Sequence, residues 1–202
     1  FKMMGVVRDI TEDKRSTQAL EQLAHHDPLT GLPNRLMLEQ RLNEALFVAR
    51  NQKTRVALVF IDLNNFKHIN DKHGHAIGDE LLIEVAGRLR KGLRSSDMVA
   101  RLGGDEFVIL MEGLAPELRL TEEAHNLCEK IFAELAPPLT LNGWQHRIGA
   151  SLGVAVFPDH AVTMDKLIHA ADLAMYAAKR SGNNQYRIGG DLTTHAHNLS
   201  QR

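Results

Sequence analysis

Residues 56 to 61 read Val-Ala-Leu-Val-Phe-Ile, an apolar run with no polar alternation. A strand with one wet face alternates, whereas an unbroken run marks a strand buried on both faces. The rest of the chain supplies the cover. Helical spacing runs through Leu38, Leu42, Ala45, Leu46 and Ala49, and further helices are predicted at about 64–73 and 78–92, the second carrying Leu81, Leu82, Val85, Ala86 and Leu89. Another is predicted near 121–135, and a last one at 165–180 with Leu167, Ile168, Ala171, Ala174, Met175 and Ala178. A strand pair spanning Trp144 to Phe157 and a short strand from Gln185 to Ile188 complete the pattern. The alternation predicts an α+β fold, a central mixed β-sheet flanked by helices with a β-hairpin projecting from it.

That hairpin is expected at residues 101 to 107, Arg-Leu-Gly-Gly-Asp-Glu-Phe, between Met98-Val99-Ala100 and Val108-Ile109-Leu110. A Gly-Gly pair between apolar segments reads as a tight turn, since both residues take positive φ without steric cost. A plain hairpin has no need of Asp105 and Glu106 directly after it. Two adjacent carboxylates beside bare backbone form a place where a phosphate and a divalent cation can both approach. An ordinary exposed hairpin with solvated acids is the competing reading of these residues taken alone.

Charge and cysteine content narrow the function. With 24 basic and 25 acidic residues the net charge is −1, so no global field favours nucleic acid or an anionic membrane. Cys128 is the single cysteine, which excludes an internal disulfide and fits a reducing cytoplasm; a small apolar helix residue is its expected role. No stretch approaches the roughly 18 apolar residues needed to cross a bilayer. None of the 11 histidines shows the His-x-x-x-His spacing of a helical zinc site, and His25, His26, His73 and His75 read as surface or capping residues. The chain opens at Phe1 without Met, as expected for a piece of something longer.

Residues 4 to 10 read as a strand ending, and Thr11, Glu12 and Asp13 as the capped, acidic first turn of a helix reaching about His25. Its seam of Ile10, Thr17, Leu20 and Ala24 fits heptads weakly. The cluster Asp27-Pro28-Leu29-Thr30-Gly31-Leu32-Pro33 forbids continuous helix, so the next helix is expected to begin around Pro33. The polar tail from Asp191 to Arg202 reads as the start of a connector.

Asp62 ends the buried run, as a helix N-cap or as a ligand at the sheet edge. Downstream stand Phe66, Lys67, Ile69, Asn70, Asp71, Gly74, His75, Gly78 and Asp79. Together with the hairpin in the correct order, this pattern resembles the GGDEF family of diguanylate cyclases over most of residues 26 to 188. The first 25 residues resemble the end of a PAS sensor domain and its signalling helix. The resemblance therefore implies an upstream segment (1–25), a GGDEF domain of nucleotidyl-cyclase-like fold (26–190) and a tail (191–202).

It implies further that two GTP condense into cyclic di-GMP with release of two pyrophosphates. Mg²⁺ or Mn²⁺ would be held by Asp62, Asp105 and the main-chain carbonyl of Leu63, in keeping with the preference of Mg²⁺ for oxygen ligands. Asp105 is also the position of the active-site acid, and Lys67, Phe66 (through its backbone N–H) and Lys179 are phosphate contacts. Asn70 and Asp79 would read guanine, because a carboxylate can accept from N1–H and the 2-amino group and is left unpaired by adenine. Arg94 and Asp97, an Arg-x-x-Asp pair upstream of the hairpin, match the product-inhibition site, with a helix-end ion pair as the plainer reading. Two features depart from the pattern. Asn183 stands where an arginine usually adds a charged fork to the triphosphate, which implies weaker GTP binding, and Asn64 replaces the more usual acid, with a mild effect expected.

A two-fold product built from two nucleotides implies an antiparallel homodimer for catalysis. No nucleic-acid or membrane contact is expected of this piece. Two further readings compete: a module that holds GTP and regulates an adjacent EAL-type phosphodiesterase, and an effector that only reads cyclic di-GMP through Arg94 and Asp97.

Overall fold

The computed structural model describes residues 24–115, 120–189 and 195–196. The upstream segment expected over residues 1–25, a strand ending and then a helix from Thr11, lies outside them except for its last two residues, and most of the tail lies outside as well. The apolar run forms β1 (Arg55–Asn64), buried along nearly its whole length. Its neighbours β2 (Met98–Gly103), β3 (Glu106–Leu114), β6 (Gly149–Phe157), β7 (Gln185–Ile188) and β8 (His195–Ala196) form a six-stranded sheet in the order β2-β3-β1-β6-β7-β8. Only β6 and β7 pair in parallel, so the sheet is mixed as the sequence implies.

Among the described residues five helices cover the sheet: α1 (Arg35–Gln52), α2 (Phe66–His73), α3 (His75–Lys91), α4 (Leu120–Leu135) and α5 (Met164–Arg180). The side chains of β1 divide between its two faces. Ala57, Val59, Ile61 and Leu63 enter one core with Leu81, Leu82 and Val85 of α3 and Cys128 and Ile131 of α4. Val56, Leu58 and Phe60 enter the other with Leu38, Leu42 and Leu46 of α1 and Leu167, Ala171 and Met175 of α5. This two-sided cover is the physical reason the run carries no polar alternation.

Several boundaries differ from the sequence reading. Helix α1 starts after Pro33, at Arg35, because Asn34 accepts from the Met37 N–H and caps it. Helix α3 starts at His75 rather than near 78, entered through Gly74 at φ 86°, so Gly78 and Asp79 lie inside the helix. The expected strand pair from Trp144 to Phe157 is two strands in different sheets: β5 (Trp144–His146) pairs with β4 (Leu139–Leu141), and β6 joins the main sheet. Asn142 and Gly143, both at positive φ, turn β4 into β5, which commits β5 to that small ribbon. His146 is buried, edge-on to His73 at 4.8 Å between ring centroids.

Candidate active site

Asp62 sits near the end of β1, opposite Glu106 of β3 on one side and Ser151 of β6 on the other. It is 5% exposed. It is not a helix N-cap, since that place at α2 falls to Asn65. One carboxylate oxygen, Oδ2, accepts a 2.8 Å hydrogen bond from Lys179 Nζ, while Oδ1 is buried with no partner. Lys179 reaches it because α5 lies hard against the sheet: a Cβ on Gly153 would fall 2.1 Å from the Ala171 carbonyl oxygen and the Met175 nitrogen.

Asp105 arrives from the hairpin, with a register one residue removed from the expected one. Gly103 ends β2 and pairs with Glu106, so Gly104 and Asp105 form the two-residue loop and the carboxylate stands on the turn itself. A bulge between Arg101 and Gly103 causes the shift. Gly103 at φ 138° and Gly104 at φ 52° occupy conformations in which a side chain would be strained. The Leu63 N–H donates to the Asp105 carbonyl at 3.2 Å, which ties the turn to the end of β1.

The acids perturb one another. Burial and then the neighbouring Asp62 charge raise the carboxyl pKa of Asp105, and burial, Asp62 and Asp105 raise that of Glu106. The hydrogen bond to Asp62, against a smaller opposing effect of burial, raises that of Lys179. Asp62 and Asp105, 43 positions apart in the numbering, thus converge on one site with a single ammonium between more than two acids.

The donor set fits a hard divalent cation. An unpartnered buried carboxylate oxygen beside a second carboxylate is a place for an oxygen-seeking ion. Among the described residues no group of three or more His, Cys, Asp or Glu side chains is placed to hold a metal ion, so a cation at Asp62 and Asp105 would need further oxygen ligands, such as substrate phosphates.

The other expected residues divide into two places. Phe66 and Lys67 open α2, directly after β1, with Phe66 partly buried and Lys67 exposed. Asn65 at φ 63° makes no side-chain cap, so the first N–H groups of α2 have no side-chain acceptor there. Asn70, in α2, has its Oδ1 buried and unpartnered, packed over Gly78 of α3, where a Cβ would fall 1.8 Å from that oxygen. Asp79 follows on the exposed side of α3. Arg94 and Asp97 lie apart from these, at the opposite end of β2 from the turn, roughly 17 Å away at the rise of a strand. Asp97 Oδ2 accepts from the Arg94 backbone N–H at 3.1 Å, and the two side chains form no ion pair among the described residues, so the helix-end pair is not what holds them. Both line an open pocket of about 410 Å³ with Arg90 and Ser95.

Two structural partners escaped the sequence reading. Arg101, the first residue of the hairpin run, is 9% exposed; its Nη1 donates to both Asp27 carboxylate oxygens at 2.9 and 3.1 Å, and its Nε and Nη2 to the Gly104 carbonyl at 3.1 and 2.7 Å. Asp27 also accepts from the Thr30 N–H and hydroxyl at 2.9 and 2.6 Å. Burial alone would raise the Asp27 pKa, but the Thr30 and Arg101 hydrogen bonds more than offset it and hold the carboxyl low. The local signal was an Asp three residues before a Thr, a common side-chain turn. Asn64 is the second: it is buried, and its Oδ1 accepts from the Ser151 hydroxyl at 2.9 Å.

Cys128 is buried, with its thiol pKa pushed well up, as befits a core residue. No helix among the described residues is long and apolar enough to cross a membrane.

Known proteins resemble this chain in sequence and fold. The family described as diguanylate cyclase, GGDEF domain, matches residues 24–185. The chain is 45% identical over 172 residues to the bifunctional diguanylate cyclase/cyclic di-GMP phosphodiesterase MucR of Pseudomonas aeruginosa, covering 85% of this chain and 24% of that protein. It is 43% identical over 171 residues to diguanylate cyclase TpbB of the same organism, covering 84% and 38%. A solved structure of the TpbB GGDEF domain superposes with a TM-score of 0.76 at 44% identity, covering 82% of this chain and 94% of that one. The GGDEF domain of DgcB from Caulobacter crescentus, solved with cyclic di-GMP, gives a TM-score of 0.73 at 29% identity, covering 83% and 97%. The chain spans well under half the length of the curated relatives it matches. With the family matching most of its length and a solved GGDEF domain superposing at 44% identity, this chain belongs to the GGDEF diguanylate cyclase family.

Proposed function

We propose that this domain condenses two molecules of GTP into cyclic di-GMP, with one nucleotide carried by each of two copies facing each other. The observation that carries the reading is Asp62: one oxygen on Lys179, the other buried and unpartnered, beside Asp105 on its glycine turn. Asp62, Asp105 and the Leu63 carbonyl would hold Mg²⁺ or Mn²⁺, which when bound neutralises phosphate charge and favours in-line displacement.

The chain's own groups do the rest. Lys179 and Lys67 bring positive charge to the phosphates, and the N–H groups at the start of α2 donate to phosphate oxygens. Asn70 and Asp79 accept and donate at the guanine edge; the unpartnered Asn70 Oδ1 is an acceptor awaiting such a donor. The 3′-hydroxyl oxygen of one nucleotide attacks the α-phosphorus of the other, the bond to pyrophosphate breaks, and the hydroxyl proton passes toward Asp105. Because one copy carries only half of this geometry, the active species is a pair of domains. Cyclic di-GMP binds at Arg94 and Asp97, where a guanidinium fork and a carboxylate suit guanine edges, and slows turnover.

Incubation of the purified protein with Mg²⁺ and GTP, followed by chromatographic separation of nucleotides, tests this. Cyclic di-GMP should form, with a rate per copy that rises with protein concentration in the dilute range. GTP bound but unconverted at high protein concentration would replace the cyclase with a GTP-holding regulatory module. Rates strictly proportional to protein from a proven monomer would remove the paired mechanism.

A further inference from the structure

Beyond Asp62 the end of β1 opens into a second polar cleft, of about 410 Å³, walled by Asn64, Asn65, Arg147, Gly149, Asn183 and Asn184 and by apolar side chains at the end of α4. Asn64 is 6% exposed; its oxygen is occupied by the Ser151 hydroxyl, but its Nδ2 is buried with no partner. A buried amide N–H with nothing to donate to is costly and marks a place for an acceptor. The missing side chain of Gly149 makes room for Asn184 Oδ1, which accepts from the Ala150 N–H at 3.1 Å, and for Asn64 Nδ2; a Cβ there would fall 2.5 and 3.2 Å from those atoms. Arg147, exposed between β5 and β6, makes no hydrogen bond or ion pair among the described residues. Asn65, which leaves the start of α2 uncapped, stands on the same wall.

Much of this lining donates hydrogen bonds or carries positive charge, and none of it is acidic. Its place relative to the acids is fixed by the fold. Asn64 follows Asp62 by two residues on the same face of β1, roughly 7 Å along the strand. Asn183 lies just beyond the C-terminal end of α5, four residues after Lys179. A chain of phosphates held by the Lys179 ammonium and running along the end of the sheet reaches this cleft next.

We propose that the cleft receives the terminal phosphate of GTP and that Arg147 is its cation, a positioning residue that offsets the neutral side chain at Asn183. The assignment rests on the cyclase reading above. Arg147 meets the phosphate from the β5–β6 side, Asn64 Nδ2 from the floor, and Asn183 from the α5 side. The leaving pyrophosphate is thereby held at both ends, by Lys179 near the reacting phosphorus and by Arg147 at the far oxygens.

The test uses 3′-deoxy-GTP, which lacks the attacking hydroxyl and so binds without reacting, measured by calorimetry with Mg²⁺ present. Arg147→Gln should weaken binding roughly tenfold, the loss of one charge-assisted contact, and leave the thermal unfolding midpoint unchanged. Asn183→Arg in the Arg147→Gln background should restore most of the affinity, and in the wild-type background should improve it far less, because one cation already serves the site. Equal binding by wild type and Arg147→Gln overturns the assignment and leaves the cyclase reading intact. So does a loss that Asn183→Arg fails to restore. Absence of any 3′-deoxy-GTP binding by the wild-type protein overturns both.

Discussion

Replacing Arg101 with methionine keeps the bulk of the side chain and removes its charge and all its donors. In the folded protein that guanidinium spends Nη1 on Asp27 and Nε and Nη2 on the Gly104 carbonyl, with Arg101 9% and Asp27 15% exposed. Removing one partner of a buried pair leaves the other charge uncompensated, which costs about 3–5 kcal/mol. For a domain of this size each kcal/mol moves the unfolding midpoint by about 2–4 °C, so a fall of roughly 6–20 °C is expected. The native-state pKa of Asp27 is held below its ordinary value, so the pair's contribution is present at neutral pH and is lost as pH falls through the acid range. The deficit of Arg101→Met should therefore shrink toward acid pH. Arg101→Lys separates scaffold from site: an ammonium can satisfy Asp27 or the Gly104 carbonyl but lacks the fork to hold both. Its stability should lie nearer the wild type while cyclic di-GMP formation falls by more than tenfold, because Asp105 loses its anchored turn. Urea unfolding of the single variants and of Arg101→Met with Asp27→Asn gives the coupling directly. Arg101→Met within 0.5 kcal/mol of wild type, or a coupling near zero, would refute the clamp.

Further expectations follow from the same geometry. Asp105→Asn should abolish turnover yet stabilise the fold by about 0.5–2 kcal/mol at pH 8 without divalent cations, as is common when strained site charges are removed; since the native pKa of Asp105 is raised, its ionisation costs stability as pH rises above the ordinary carboxylate range, so the gain should fade near pH 4 in denaturant titrations. Gly78→Ala should raise the KM for GTP several-fold and leave cyclic di-GMP binding intact, because a methyl group 1.8 Å from Asn70 Oδ1 must push that side chain aside; an unchanged KM would show that Asn70 does not touch the base. Arg94→Ala should lose product binding by calorimetry while its initial rate in fresh GTP stays within about twofold of wild type, given the length of β2 between Arg94 and the turn.

The unbroken run at Val56–Ile61 and the helical spacings were enough to fix the class of fold, because burial on two faces leaves a pattern in the residues themselves. The acids were legible only through the longer pattern that resembles the GGDEF family, since taken alone Asp105 reads equally as a solvated hairpin acid and Asp62 as a helix N-cap. Strand partnership was not legible. Whether Trp144–His146 pairs forward or backward depends on a turn at Asn142 and Gly143 whose energy competes with the whole sheet. Nor was the one-residue register that sets Asp105 on the loop rather than after it, since a bulge between Arg101 and Gly103 is a compromise among several strands.

What the chain determined alone was its local chemistry: which segments bury, where turns fall, and which side chains carry charge. What only the tertiary structure decided was who meets whom: Arg101 with Asp27, Lys179 with Asp62, Asn64 with Ser151. Those contacts join segments far apart in the chain, and hydrogen bonding and burial are short-ranged. Their strength depends on distances that exist only once the sheet has closed and the helices have settled on it.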